Sequence, residues 1–293
     1  MNLFAYTITA GIMYGIFFGL VGLGLNIIFG VLKMINLAHG DFIMLGSFLA
    51  FWLYQMLGVN PLFVIPVALV VFFLVGFPLY YAFVPRLMRS KDPEMLSFIL
   101  FFGVSQVIEA LVVFFFGNNQ RSIPTNVFGG GGFDIFGQRF PLAWLVTTLV
   151  ALGSFGLVYW YLQHTRMGYA TRAIMANREE ALVSGIDVNR ISAVVFCAGL
   201  ALAGIAGIFS FFIIGASYPS MGPELTTVSF AIIVLGSLGN PLGTILGGLI
   251  YGIAIMFMQS YFSSWADILP YVLLIAVMLF KPEGLVGKAA RSA

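Results

Sequence analysis

Residues 5 to 32 have the sequence AYTITAGIMYGIFFGLVGLGLNIIFGVL, in which no side chain is charged. About 20 apolar residues are enough for an α-helix to cross the roughly 30 Å hydrocarbon core of a bilayer. Comparable apolar stretches follow at 42–57, 61–85, 95–116, 141–163, 191–214, 225–258 and 264–280. The sequence therefore predicts an all-α polytopic membrane protein with about eight transmembrane segments.

The composition supports this class. Of the 293 residues, 61% are hydrophobic and 8% are charged, whereas soluble domains average roughly 45–50% apolar and about 25% charged residues. The net charge of +2 is small, so it gives no indication of a nucleic-acid partner. The only cysteine, Cys197, lies in an apolar stretch and cannot form a disulfide within the chain. We expect one transmembrane domain over residues 1–293.

Clusters of Lys and Arg predict which side of the membrane each polar segment faces, because cytoplasmic loops carry an excess of these residues. Three polar segments are rich in them: 86–94, 164–190 and 281–293. The segment 117–140 instead contains four successive glycines and few charges. We expect the first three segments to be cytoplasmic and 117–140 to lie outside. The side of the N-terminus stays open.

The apolar stretch 225–258 is too long for one ordinary crossing. Residues 190 and 281 are both expected in the cytoplasm, so an even number of crossings must separate them. The stretches on either side of 225–258 already supply two crossings. The middle of the stretch is interrupted by Gly236, Gly239, Asn240, Pro241 and Gly243. Parity favours a hairpin of two short, discontinuous or re-entrant helices over one long kinked helix, since broken backbone at membrane depth needs protein or a cavity to cover it.

A similar interruption separates the first two apolar stretches, at Lys33, Asn36, His39, Gly40 and Asp41. Broken helices at matching places in two halves of a chain indicate a transport pathway. We therefore predict an internal repeat, parallel or inverted, and assign to the pathway the residues Asn36, His39, Gly40, Asp41, Gly236, Gly239 and Asn240.

Glu109 is added to this pathway because it is an ionisable side chain inside the apolar stretch 95–116. Such residues are costly in a membrane and usually mark a partner or a pathway. A structural hydrogen bond to Gln106 or to a neighbouring helix is the alternative.

Glycines recur at helical spacing in two stretches, at Gly11, Gly15 and Gly19 and again at Gly243, Gly247, Gly248 and Gly252. Faces of small residues allow helix backbones to approach closely. We expect this spacing to serve packing within the subunit rather than a dimer interface.

The polar segment 164–190 carries signals for short helices. Asn177 followed by Glu180 resembles a capping box, Glu179 and Glu180 suit the positive end of a helix, and Gly185 suits a helix end. These signals predict an amphipathic helix at about 178–184, preceded by one or two turns near 168–176. We interpret the segment as a docking element for a cytoplasmic partner, with an ordinary interfacial helix as the alternative.

Signals for catalysis or cofactor binding are weak. His39 and His164 have no acidic neighbour at ligand spacing, which argues against a histidine-based metal site. The segment EGLVGKAA at 283–290 lacks the first glycine and the final Ser or Thr of a phosphate-binding loop. We expect no cofactor in this chain, and ATP, if it drives the process, to bind to another chain.

Four segments resemble, in the expected order, the permease subunits of ABC importers for branched-chain amino acids. They are INLAHGDFIMLGSFLAF at 35–51, GYATRAIMANREEALVSGIDVNRISAVVFCAGLALAGIAG at 168–207, IVLGSLGNPLGTILGGLIYG at 233–252 and FKPEGLVGK at 280–288. The resemblance implies a multi-pass permease of the bacterial inner membrane. It also implies a second related permease, two cytoplasmic ATPase subunits and a periplasmic solute-binding protein as partners.

The resemblance further implies that six residues couple the permease to the ATPases: Gly168, Arg172, Glu179, Glu180, Gly185 and Asp187. Branched-chain amino acids are the expected substrates, with urea or a short amide as alternatives. From the residues alone, two other classes stay open. One is a stand-alone secondary transporter that couples substrate to ions through Glu109 and Asp41. The other is an intramembrane enzyme, for which paired catalytic groups are missing from the sequence.

Overall fold

The computed structural model describes residues 3–287 as a bundle of helices. The helices are Leu3–Leu32 (α1), His39–Leu57 (α2), Pro61–Leu87 (α3), Pro93–Phe116 (α4), Leu142–His164 (α5), Arg166–Ala176 (α6), Arg178–Val183 (α7), Val188–Ile213 (α8), Met221–Gly236 (α9), Pro241–Tyr261 (α10) and Leu269–Phe280 (α11). Among the described residues, eight helical segments are long and apolar enough to cross a membrane. The predicted all-α polytopic class is confirmed. The last six residues of the basic tail, 288–293, lie outside the described residues.

The apolar stretch 225–258 forms the hairpin that parity predicted. α9 ends at Gly236, and Asn240 caps α10 by accepting hydrogen bonds from the backbone N–H groups of Leu242 and Gly243. Pro241 occupies the first turn of α10, where its missing N–H leaves no bond unmade. The turn 237–240 therefore separates two antiparallel helices, of which α9 is too short to count among the eight segments.

The most extensive helix contact joins α1 and α10. Gly15 lies against Gly252, and Gly19, one turn later in α1, lies against Gly248. As residue numbers rise along α1, the numbers of the α10 residues that they contact fall, so the two helices are antiparallel. The glycine faces thus pack within the subunit, as the sequence predicted, because only glycine lets two helix backbones come this close.

A second pair, α3 and α8, is built in the same way. Phe72 of α3 packs on Gly204, and Gly76 lies beside Cys197, so this pair is also antiparallel. α1 and α8 also run in opposite directions, since the Tyr14 hydroxyl donates to the carbonyl oxygen of Ile213 at 2.9 Å and Gly24, later in α1, lies against Gly199, earlier in α8. The unit α1–α4 is therefore repeated by α8–α11 with the reverse orientation, which makes the repeat inverted.

The repeat corrects one prediction about the interruptions. The segment 33–38 begins with Lys33, which has the left-handed conformation. Its counterpart in the second half is 214–220, where Gly215 also has a positive φ. The turn 237–240 instead matches 58–60, because Gly58 and Asn60 precede α3 as Gly239 and Asn240 precede α10. Pairing 33–41 with 236–243 was wrong. Local breaks in hydrophobicity show where helices end, but they do not show which ends are equivalent.

α2 and α9 begin near the middle of the bundle. The His39 imidazole Nε2 lies 3.0 Å from the carbonyl oxygen of Val21, close to the centre of the 30-residue α1. The Gly40 N–H donates to the Thr226 hydroxyl at 2.9 Å, which brings the first turns of α2 and α9 together. In this inverted arrangement, two helix N-termini meet at membrane depth.

The loop between α4 and α5 contains structure that the sequence analysis did not anticipate. A 3-10 helix spans Thr125–Phe128, and strands Gly132–Ile135 (β1) and Gln138–Pro141 (β2) form an antiparallel hairpin. The turn of this hairpin consists of Phe136 and Gly137, both with positive φ. Such turns are usually signalled by Asn-Gly or Asp-Gly, and neither dipeptide occurs here.

Candidate functional site

The junction of α2 and α9 contains a buried carboxylate. Asp41 has no exposed surface, and neither of its oxygens has a hydrogen-bond partner among the described residues. A Cβ added to Gly222 would overlap Asp41 Oδ1, so the carboxylate lies directly against the first turn of α9. Helix N-termini stabilise negative charge. The positive ends of α2 and α9 therefore provide the electrostatic environment of Asp41.

Asn36 and His39 hold the start of α2 in place. Asn36 Oδ1 accepts a hydrogen bond from the Ala38 N–H at 3.1 Å, and the His39 ring contacts the Val21 carbonyl. Both side chains are buried. Their contacts identify them as residues that shape the connection from α1 to α2, next to Asp41 in the chain.

Glu109 is half-buried on α4, one helical turn after buried Ser105, whereas most other side chains of this helix are exposed and apolar. With Gln106 and Phe114 it lines an open depression of about 500 Å³. α4 adjoins α2 and α9, the two helices whose first turns enclose Asp41. The hydrogen bond from Gln106 to Glu109 is not formed. Glu109 and Asp41 are thus the two predicted pathway carboxylates, and they lie on neighbouring helices.

The predicted pathway residues near the second interruption lie elsewhere, in the turn between α9 and α10. Gly236 packs against the backbone of Gly243, and Gly239 has a positive φ of 76°. The buried Asn26 of α1 bonds to this turn, since its Nδ2 donates to the Asn240 carbonyl at 2.9 Å. Gly236, Gly239 and Asn240 therefore build a clamped turn and do not share a site with Asp41 and Glu109.

The polar segment 164–190 forms two consecutive helices, α6 and α7, as predicted. The Asn177 side chain accepts from the N–H groups of Glu179 at 3.0 Å and Glu180 at 3.3 Å, and it donates to Glu180 Oε1 at 2.7 Å. Gly185 follows α7 with φ of 81°. Gly168 fixes α6 to α5, because a Cβ there would overlap the Tyr161 carbonyl.

The six predicted coupling residues have different surroundings. The Arg172 guanidinium lies 5.1 Å from the Tyr169 ring centre and borders a cleft of about 420 Å³ that α5 and the start of α10 also line. Asp187 caps α8 by accepting from the Arg190 N–H at 3.0 Å. Glu179 and Glu180 are exposed. Both glutamates are thus accessible to a partner, although Glu180 also bonds to Asn177, and Arg172 and Asp187 contact the chain's own helices.

Sequence reasoning missed the apolar part of the α7 surface. Leu182 is 64% exposed and Val183 is 89% exposed, directly after Glu179 and Glu180. These two neighbouring side chains leave apolar surface exposed beside the two glutamates. We define the exposed α7 face as Glu179, Glu180, Leu182 and Val183.

Arg178 is a second residue that the sequence did not single out. Its Nη1 is buried without a partner among the described residues. Burial lowers the pKa of its guanidinium, and the Tyr80 hydroxyl partly offsets this lowering. An arginine stays charged in any case. The Tyr80 hydroxyl donates to Asn189 Oδ1 at 2.9 Å, so Arg178 lies where α7 adjoins the α3–α8 pair.

Comparisons with known proteins agree with this geometry. Residues 7–278 match the family described as branched-chain amino acid transport system / permease component. The high-affinity branched-chain amino acid transport system permease protein BraD of Pseudomonas aeruginosa is 29% identical over 95% of this chain and 94% of its own length. LivH of Escherichia coli K12, with the same description, is 27% identical over 95% of this chain and 94% of its own.

A probable branched-chain amino acid transport permease protein LivH of Methanocaldococcus jannaschii is 28% identical over 94% of this chain and 90% of its own length. No solved structure is significantly similar to the chain. With these relatives and its apolar helices, the protein is a multi-pass transport subunit of the bacterial inner membrane and not an enzyme. The chain belongs to the family of permease components of branched-chain amino acid transport systems.

Proposed function

We propose that this chain forms the transmembrane path of an ATP-driven importer for branched-chain amino acids. Its partners are a second related permease, two cytoplasmic ATPase subunits that bind the ATP, and a periplasmic solute-binding protein. The exposed α7 face carries the proposal, because its capped, rigid helix presents both charge and apolar surface. The relatives BraD and LivH are permeases of branched-chain amino acid transport systems, which supports the substrate class.

We place the translocation path along α4, beside the α2–α9 junction. A carboxylate at membrane depth costs several kcal/mol unless water or protein covers it. Glu109 is only partly covered within this chain. The second permease would cover this face and enclose a polar path between the two subunits, with Glu109 on its wall and Asp41 behind it.

Replacing Glu109 by leucine is expected to lower amino-acid uptake about 10- to 100-fold, the effect of losing one interaction with a charged group. Assembly of the subunits should be normal, since no packed neighbour depends on the carboxylate. Uptake of radiolabelled leucine by cells that express the complete system measures this. Glu94→Leu, the same change at the polar start of α4, is the control. If the Glu109→Leu variant took up leucine at the wild-type rate, Glu109 would not line the translocation path.

The charge clusters and the helix directions together predict sidedness. If α6 and α7 are cytoplasmic, α8 runs outward and the antiparallel α1 runs inward, so the N-terminal end of α1 faces the periplasm. Cysteines at Glu179 and Lys91 should react with an impermeant maleimide only after the membrane is opened, and a cysteine at Phe136 should react in intact spheroplasts. Native Cys197 is buried and should not react with the maleimide. Ready labelling of the Glu179 position from outside would contradict the topology.

A further inference from the structure

α6 packs on α5 and α8, and it meets α1 through Met175. A Cβ added to Gly30 of α1 would lie 3.0 Å from Met175 Cε and 3.2 Å from the Cα of Gly239. Met175, Gly30 and Gly239 therefore meet in one contact, where α6, α1 and the α9–α10 turn adjoin. Met175 is also part of the lining of the 420 Å³ cleft beside that turn.

The turn at this contact is tied firmly to α1. Asn26, one helical turn before Gly30, is fully buried. Its Nδ2 donates to the carbonyl oxygens of Asn240 at 2.9 Å and Ser237 at 3.3 Å, and its Oδ1 accepts from the Gly239 N–H. Buried polar networks of this kind resist local distortion. A displacement of the turn is therefore shared by α1.

α10 follows the same displacement because it begins at the turn and packs on α1 through glycine contacts along its length. α7, in contrast, adjoins α8. Ala181 is buried, and its carbonyl oxygen accepts from the Ile186 N–H at 3.1 Å in the segment that connects α7 to α8. Asn177 ends α6 and caps α7. α6 thus meets α1 and the α9–α10 turn at Met175 and also packs on α5 and α8, whereas α7 adjoins α8, and Asn177 joins the two short helices.

We infer that Met175 is the positioning residue that transmits movement of α6 to the α1–α10 pair. This inference rests on the proposed function, in which ATPase closure displaces α6 and α7. Packed side chains carry such coupling only when no void separates them, since interiors deform little. Shortening Met175 would leave a gap between α6 and Gly30, so that α6 could move without α1.

The test measures moles of leucine transported per mole of ATP hydrolysed by the complete complex in proteoliposomes. Met175→Ala should lower this ratio about tenfold, within the 2- to 30-fold range of mutations along coupling networks, while ATPase subunits remain bound. Met175→Leu, which refills the space, should restore it. Met167→Ala is the control, because Met167 lies on the exposed side of the same helix.

An unchanged ratio in Met175→Ala would overturn the inference and leave the proposed function intact. Failure of wild-type protein to bind ATPases would overturn the proposed function itself, and the inference with it. If Met175→Ala does not assemble, Met175→Val removes less volume and should give an intermediate ratio. A wild-type ratio in that variant also counts against Met175.

Discussion

Replacing Gly40 by alanine is expected to prevent stable folding of the membrane domain. An added Cβ would overlap the carbonyl oxygen of Gly222 and lie 2.6 Å from the backbone nitrogen of Thr226. Both neighbours belong to the α9 backbone, so no side-chain rotation can relieve the clash. Overpacking typically costs about 1–3 kcal/mol and more where nothing can move. The first turns of α2 and α9 would have to separate.

The measurement is the yield of monodisperse protein in detergent together with its melting temperature. Gly103→Ala is the matched control, since Gly103 lies inside α4 with nothing within 4 Å of an added Cβ. Alanine is favoured over glycine in a helix by about 1 kcal/mol, so this control should be neutral or slightly stabilising. A Gly40→Ala protein with wild-type yield and melting temperature would show that α2 and α9 do not cross as described.

Changes at the two ends of α7 are expected to abolish uptake while the chain still inserts. Glu180→Lys removes the contact with Asn177 Nδ2 and places a positive charge at the positive end of the helix. Gly185→Val forces a β-branched residue into the left-handed conformation, which costs about 1–2 kcal/mol even for unbranched residues. Both changes disturb the exposed α7 face without touching the transmembrane core.

The readouts are co-purification of the ATPase subunits and leucine uptake. Glu94→Lys reverses a first-turn charge on α4, and Gly137→Val strains a left-handed glycine in the β1–β2 turn. These two controls should bind ATPases and transport normally. If Glu180→Lys and Gly185→Val also did so, segment 164–190 would be an ordinary interfacial element.

Features with local causes were predictable from the sequence. Apolar length fixes the spans, and Asn177, Glu180 and Gly185 mark the ends of α7 because capping depends on residues a few positions apart. The break between α9 and α10 was predictable for the same reason, because Asn240 and Pro241 are local signals for the start of a helix. The helices of the polar segment 164–190 are predicted to within two residues of their observed bounds.

Features that depend on distant contacts were not predictable in this way. Whether Gly239 lies near Asp41 depends on the inverted packing of α1, α8 and α10, which no local pattern encodes. The relation of Met175 to Gly30 is set by where α6 folds back on the bundle. Exposure of Val183 depends on which face of α7 rests on α8. These properties arise from tertiary packing, which the local pattern of residues along the chain does not specify.

Energy coupling is tested most directly by leucine accumulation in proteoliposomes that contain the purified chain with or without its proposed subunits. With both permeases, the ATPases and the loaded binding protein, accumulation should require ATP and stop when the ATPases are inactivated. The chain alone should transport nothing under a sodium or proton gradient. Gradient-driven accumulation by the chain alone, abolished by Glu109→Gln, would contradict the proposed importer and establish a secondary transporter instead.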